Sequence, residues 1–192
     1  MIVSRATTTT ARSARRLAEL RLRALDDRWR HVQGVVKRAD QVADVLMPED
    51  HDVLLAAAWL HDIGYVSRDA TGFHPLDGAR FLERHGIDRR IVCLVAHHSA
   101  ARFEAEERGL AGSLAVYQRE EGPVADSLTW ADMTTGPQGQ RVTFEERIVE
   151  VFTRYPHDDP VHRAIARARD ELEGAVRRTE ERLASARTAQ PM

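Results

Sequence analysis

The chain is 192 residues long, 43% hydrophobic, and carries a formal net charge of −2. This length suits one domain with a terminal extension, and no segment is basic over a length that would suit nucleic acid. The single cysteine, Cys93, excludes an intramolecular disulfide, no apolar stretch nears the ~20 residues of a membrane span, and residues 1–16 lack the apolar core of a secretion signal, so a soluble, cytoplasmic protein is expected.

Residues 1–12, with Thr7 to Thr10, offer nothing to bury and are expected to form a flexible tail. From Ser13 to Asp27, leucines at 17, 20, 22 and 25 mixed with arginines predict a charged amphipathic helix. Apolar positions 32, 35, 36, 39, 42, 43 and 46 predict a second helix, closed by Pro48, with His31 one turn from its inner face. A third helix is predicted over 50–63, and its run Val53 to Leu60 is apolar enough to be buried. After a polar loop at 67–72, Pro75 opens a helix that ends near Gly86. Asp88 caps the next, 89–98, with His97 and His98 at its end. Residues 101–121 read as helical with a break at Gly109 to Gly112. Helices follow at 123–133 and from Phe144 to Tyr155, separated by the turn-rich Thr134 to Gly139. The last helix, about 160–187, has apolar positions three and four apart, a seam for its own domain or for a homodimer. No period-two strand pattern is convincing, so the fold is predicted to be all-α: a helical domain over 13–158 and a C-terminal helix over 159–192.

The chemistry begins at His61-Asp62. An imidazole and a carboxylate at the end of a buried helix are costly unless something pairs with them, and a metal ion does so well. The other histidines and aspartates that end or face apolar helices are His31, His74, His98 (beside His97) and Asp132. This nitrogen and oxygen set suits iron, manganese, zinc, nickel or cobalt and lacks the thiolates of a structural zinc site. Two ions need about six protein ligands, and Asp62 is the natural bridge between them.

The order His31, His61-Asp62, Asp132 resembles the signature of the HD superfamily of metal-dependent phosphohydrolases, over about residues 28–155. The resemblance implies an all-α HD-domain bundle with ligands projecting inward from different helices. His74-Pro75 with Gly78-Ala79, followed by a histidine pair, is similar to the two-metal branches, among them the diadenosine tetraphosphatases and the HD-GYP phosphodiesterases. By that resemblance His74 and one of His97 and His98 complete the second metal, and His98-Ser99 points to His98. The Gly-Tyr-Pro loop of the HD-GYP branch is missing: the sequence there is Ser99 to Glu104. Tyr65 stands where many HD hydrolases place a lysine, and Arg28, Arg30, Arg80 or Arg102 is a candidate replacement.

The expected metal ligands are therefore His31, His61, Asp62, His74, His98 and Asp132. Asp62 is expected to act in catalysis, with His97 protonating the leaving group and Arg102 on the phosphate. The expected reaction is hydrolysis of a small phosphorylated substrate by a hydroxide held on two divalent ions. Two other classes fit the ligand set: an oxygenase with a mixed-valent di-iron centre, and a metal-dependent sensor or binding module without catalysis. With no basic groove carrying interleaved aromatics, a small nucleotide is expected rather than a polynucleotide.

Overall fold

In a computed structural model of the chain, residues 9–67 and 71–189 are described. Ten α-helices follow one another among them: α1 (Ala11–Leu22), α2 (Asp26–Ala43), α3 (Pro48–Leu60), α4 (His74–Arg84), α5 (Arg89–His97), α6 (Ala101–Glu107), α7 (Ala111–Leu114), α8 (Pro123–Met133), α9 (Phe144–Arg154) and α10 (Pro160–Ala189). Short 3-10 turns cover Ile63–Val66 and His98–Ala100. The class is all-α: among the described residues the extended pairing is one isolated bridge, Thr135 to Arg141.

The centre is α3. Leu54, Ala56, Ala57, Ala58 and Leu60 have no exposed surface, and α1, α2, α5 and α8 pack around them. A helix apolar on every side is stable only when surrounded, and this one is. Its N-terminus is set by Pro48 at the first helical position. The proline was expected to close the preceding helix; instead it opens α3, because its fixed φ suits a first turn where no N–H partner is needed.

The N-terminal region also differs from its expected form. Residues 1–8 of the predicted tail lie outside the described residues, but Thr9 to Arg12 are held. The Thr10 side chain and Ser13 form a capping box on α1, and Thr9 Oγ1 accepts from the Asp88 backbone N–H at 3.1 Å. α1 stops at Leu22 rather than Asp27. Its buried face is Ala14, Ala18 and Leu22, four residues apart, while Leu20 is 82% exposed. The leucines that suggested the helix do not share one face; the alanines do. The polar loop predicted at 67–72 includes residues 68–70, which lie outside the described residues.

α10 lies across α8, α6 and α9, burying Ala164, Ala168, Leu172, Ala175, Val176 and Thr179. Ion pairs flank this face: Arg163 and Arg167 meet Glu107, Arg102 and Arg119 meet Glu171, and Arg178 and Arg182 meet the buried Asp126. No described helix is long and apolar enough to cross a membrane.

Candidate metal centre

Where α3 ends, His61 and Asp62 enter a tight turn. The turn Ile63–Val66 then crosses the start of α4 at very close range. A Cβ on Gly64 would lie 2.0 Å from the His74 carbonyl oxygen and 2.6 Å from the Gly78 amide nitrogen. Only a residue without a side chain allows this crossing, and it brings His74 beside Asp62. α2 contributes His31 from its buried face, and α8 contributes Asp132 one residue from its end. α5 runs out at His97, and His98 begins the next turn. There Ser99 and Ala100 both take left-handed backbone, φ 48° and 58°. Two adjacent non-glycine residues in that region store strain, which the surroundings must over-determine. Here the Ser99 hydroxyl is tied to Asp132 Oδ2 in a short hydrogen bond, so the strained turn joins α5 to α8 beside the cluster.

Three histidines are oriented in the same way. The Nδ1–H of His31 donates to the Gly136 carbonyl at 3.1 Å, that of His61 to Ala58 at 2.8 Å, and that of His98 to Val95 at 2.6 Å. A carbonyl can only accept, so in the neutral form of each ring the proton sits on Nδ1 and the Nε2 lone pair turns inward. The lone pairs of His31 and His61 face carboxylate oxygens, and that of His98 faces the His74 ring. His31 Nε2 is 3.0 Å from Asp132 Oδ1, and His61 Nε2 is 3.4 Å from Asp62 Oδ2. His98 Nε2 is 3.2 Å from His74 Nε2, which is itself 3.3 Å from Asp62 Oδ1. His61 Nε2 is buried without a hydrogen-bond partner. Imidazole nitrogens facing carboxylates in a buried site call for a positive charge between them, a proton or a metal ion, and the outer hydrogen bond on each ring is the arrangement that metal-ligating histidines use.

Two groups have donor atoms that all lie within 4.8 Å of one another: His31, His61 and Asp62, and Asp62, His74 and His98. Asp62 belongs to both. The residues present therefore fit a pair of ions with Asp62 shared, and Asp132 stands next to the first group.

The electrostatics agree with that fit. Burial alone would raise the Asp62 carboxyl, but Arg28 and His61 hold it well below the usual carboxylate range. Burial is likewise outweighed at Asp132, where His31, His61 and Arg147 keep it ionised. Burial pushes His74 well down and also lowers His98, and in each case a neighbouring histidine adds to the effect. Burial would lower His61 too, but Asp62 overcomes it and raises that ring's affinity for a proton. The site thus holds ionised carboxylates, two imidazoles kept neutral, and one ring whose proton affinity is raised.

All six expected ligands, His31, His61, Asp62, His74, His98 and Asp132, come together. Two other expected residues do not. His97 donates Nε2–H to the Tyr117 carbonyl at 2.8 Å and lines a cleft between α5, α8 and α10 that His98 also borders. Arg102 pairs with Glu171 at 2.5 Å and stacks on Phe103. For the histidines the reason is local: α5 ends at His97, and His98 leaves the helix with φ −59° and ψ 150°, its ring bonded back to Val95. Of the arginines weighed against the missing lysine, Arg28 reaches the cluster, with Nη1 2.7 Å from Asp62 Oδ2. Its guanidinium lies 3.9 Å over the Tyr65 ring, which stacks at 4.3 Å on His74. Tyr65 is thus the platform for a cation rather than the cation itself.

Arg147 was missed by sequence reasoning. It comes within 3.8 Å of Asp132 from the inner face of α9, among Phe144, Ile148 and Val151. An arginine at i+3 on an otherwise apolar face was the available signal. Beside the cluster is a pocket of about 90 Å³ with an apolar wall of Tyr65, Pro75, Met133, Val151, Tyr155 and Ile165.

Helical bundle and buried His/Asp cluster together define a class, and comparison with known families agrees. The model of the HD domain family matches residues 28–152, and the chain belongs to that family. The chain is also similar to a tRNA (cytidine(56)-2'-O)-methyltransferase of Picrophilus torridus, 40% identical over 78 residues, which is 41% of this chain and 22% of that protein. The chain thus matches about a fifth of that relative's length. No solved structure matches the chain.

Proposed function

We propose that the chain is a metal-dependent phosphohydrolase acting on a small phosphorylated substrate. The observation that carries this reading is the set of Nε2 lone pairs converging on Asp62 with the Arg28 guanidinium beside them. His31, His61 and Asp132 would hold one ion and His74 and His98 the other, with Asp62 shared. Bound divalent ions would supply Lewis-acid activation of water and neutralise charge on the phosphoryl oxygens.

The protein's own contribution is placement. The carbonyls of Ala58, Val95 and Gly136 fix the three rings in the tautomer that ligates. Arg28 presents a planar fork suited to phosphoryl oxygens, and Tyr65 keeps it from swinging away. Burial and the apolar wall lower the local dielectric, which strengthens the pull of Arg28 on developing negative charge. The same wall receives the organic part of the substrate and limits stray water.

The test is a panel of nucleotides and other small phosphoesters given to the full-length protein as isolated, with phosphate release measured. Release is expected, and Asp62→Ala should lower it by ~100-fold or more, since outer contacts to metal ligands alone are worth 10–100-fold. Undiminished release by Asp62→Ala would overturn the reading. Oxygen uptake without phosphate release, together with the EPR signal of a mixed-valent iron pair, would replace it with the oxygenase.

A further inference from the structure

On the side of the cluster facing α2 and α9 there is a second chamber of about 200 Å³, room for several waters at ~30 Å³ each and hence for a phosphate group. Its wall holds Asp27, Arg28, His31, Pro137, Arg147 and Arg154. Three of those six residues are arginines, and Arg28, Arg147 and Arg154 also line the apolar pocket described above. The two spaces therefore meet along one cationic edge beside Asp62 and Asp132.

Arg147 is not balanced as a surface ion pair is. The Arg147 side chain is only 9% exposed, and its Nε–H is buried without a partner. A buried guanidinium N–H left unpaired carries a desolvation cost that an incoming acceptor removes. The other end of Arg147 is shared between Glu150 and, at 3.8 Å, Asp132. Arg154 leans on the same Glu150, so one carboxylate serves two guanidinium groups. Both arginines project from α9 seven residues apart, two turns of helix, and so stand on one face of it. The capping box of Thr143 with Glu146 fixes the start of that helix.

We propose that Arg147 and Arg154, with Arg28, form a second anion subsite, so that the substrate carries two phosphoryl groups, as a diphosphate or a bisphosphate. This rests on the hydrolase reading of the cluster. One phosphoryl group lies over the metal ligands, where it reacts; the other is received by the arginine edge; the organic group lies along the Tyr65 wall. Fork-shaped guanidinium groups select phosphate oxygens by paired hydrogen bonds.

The test is thermal unfolding of the full-length protein as isolated, with inorganic phosphate or inorganic pyrophosphate at equal concentration. A ligand that binds only the folded state raises Tm, whereas stripping of bound ions would lower it, so the sign separates binding from chelation. Pyrophosphate is expected to raise Tm more than phosphate does, and Arg154→Gln should erase the difference. In kinetics, substrates with two phosphoryl groups should be favoured by at least ~10-fold in kcat/KM over their monophosphate counterparts, with that preference collapsing in Arg154→Gln. Equal shifts for the two anions, or an unchanged difference in Arg154→Gln, would overturn the subsite. Failure of the hydrolase reading looks different: no phosphoester is cleaved, whatever the two anions do to Tm.

Discussion

His61 shows most clearly what this sequence encodes at the scale of one residue. Its Nδ1–H is given to Ala58 and its Nε2 is buried without a partner, so half of the ring is left open toward the cluster. Gly64 matters for the same reason. A methyl group there would press into the His74 carbonyl, so Gly64→Ala is expected to cost at least ~1–3 kcal/mol. It should also loosen metal binding, because the clash parts His74 from Asp62. Denaturant unfolding checks the first effect and metal titration the second; unchanged values for both would disprove the close crossing. The six clustered residues were legible in the sequence because each is a polar residue on or beside an apolar face. Arg147 was not read, although it stands on such a face, because one arginine among 28 basic residues draws no attention. The choice between His97 and His98 rested on likeness alone, because the point at which the backbone leaves the helix, at His98 itself, leaves no mark in residue type.

At the scale of elements, position on the helix decides more than propensity. α9 carries Arg147 and Arg154 and begins with a capping box, so Thr143→Ala is expected to cost ~1 kcal/mol. In a chain of this size that lowers Tm by ~2–4 °C. Leu172→Ala, in the buried face of α10, removes a full side chain from the core and should cost ~2–5 kcal/mol. The two variants measured together test whether α10 is part of the folded body: if Leu172→Ala costs no more than the cap, its packing on α8 is not contributing. The helices themselves were legible from apolar spacing, while their ends were not. Pro48 reads equally well as a stop or a start, and the alanine face of α1 was hidden behind more conspicuous leucines. The seam on α10 was visible, and its buried residues face α6 and α8 of the same chain.

For the whole molecule, the cluster ties together parts of the chain that are far apart in sequence. Its donors come from α2, the end of α3, the start of α4, the end of α5 and α8, so a pair of bound ions would link five elements. Binding of this kind stabilises the fold by mass action, ~2.7 kcal/mol per site at a hundredfold excess over Kd. Stripping metal should therefore lower Tm by roughly 5–10 °C per site. The most direct test of the whole account is metal content. Full-length protein saturated with divalent transition metal and then dialysed should retain about two ions per chain, as a shared-carboxylate pair requires. His61→Ala and Asp62→Ala should each retain markedly less. Retention of no metal by the native chain, or equal retention by the two variants, would contradict the claim that this nest of histidines and aspartates is a metal centre.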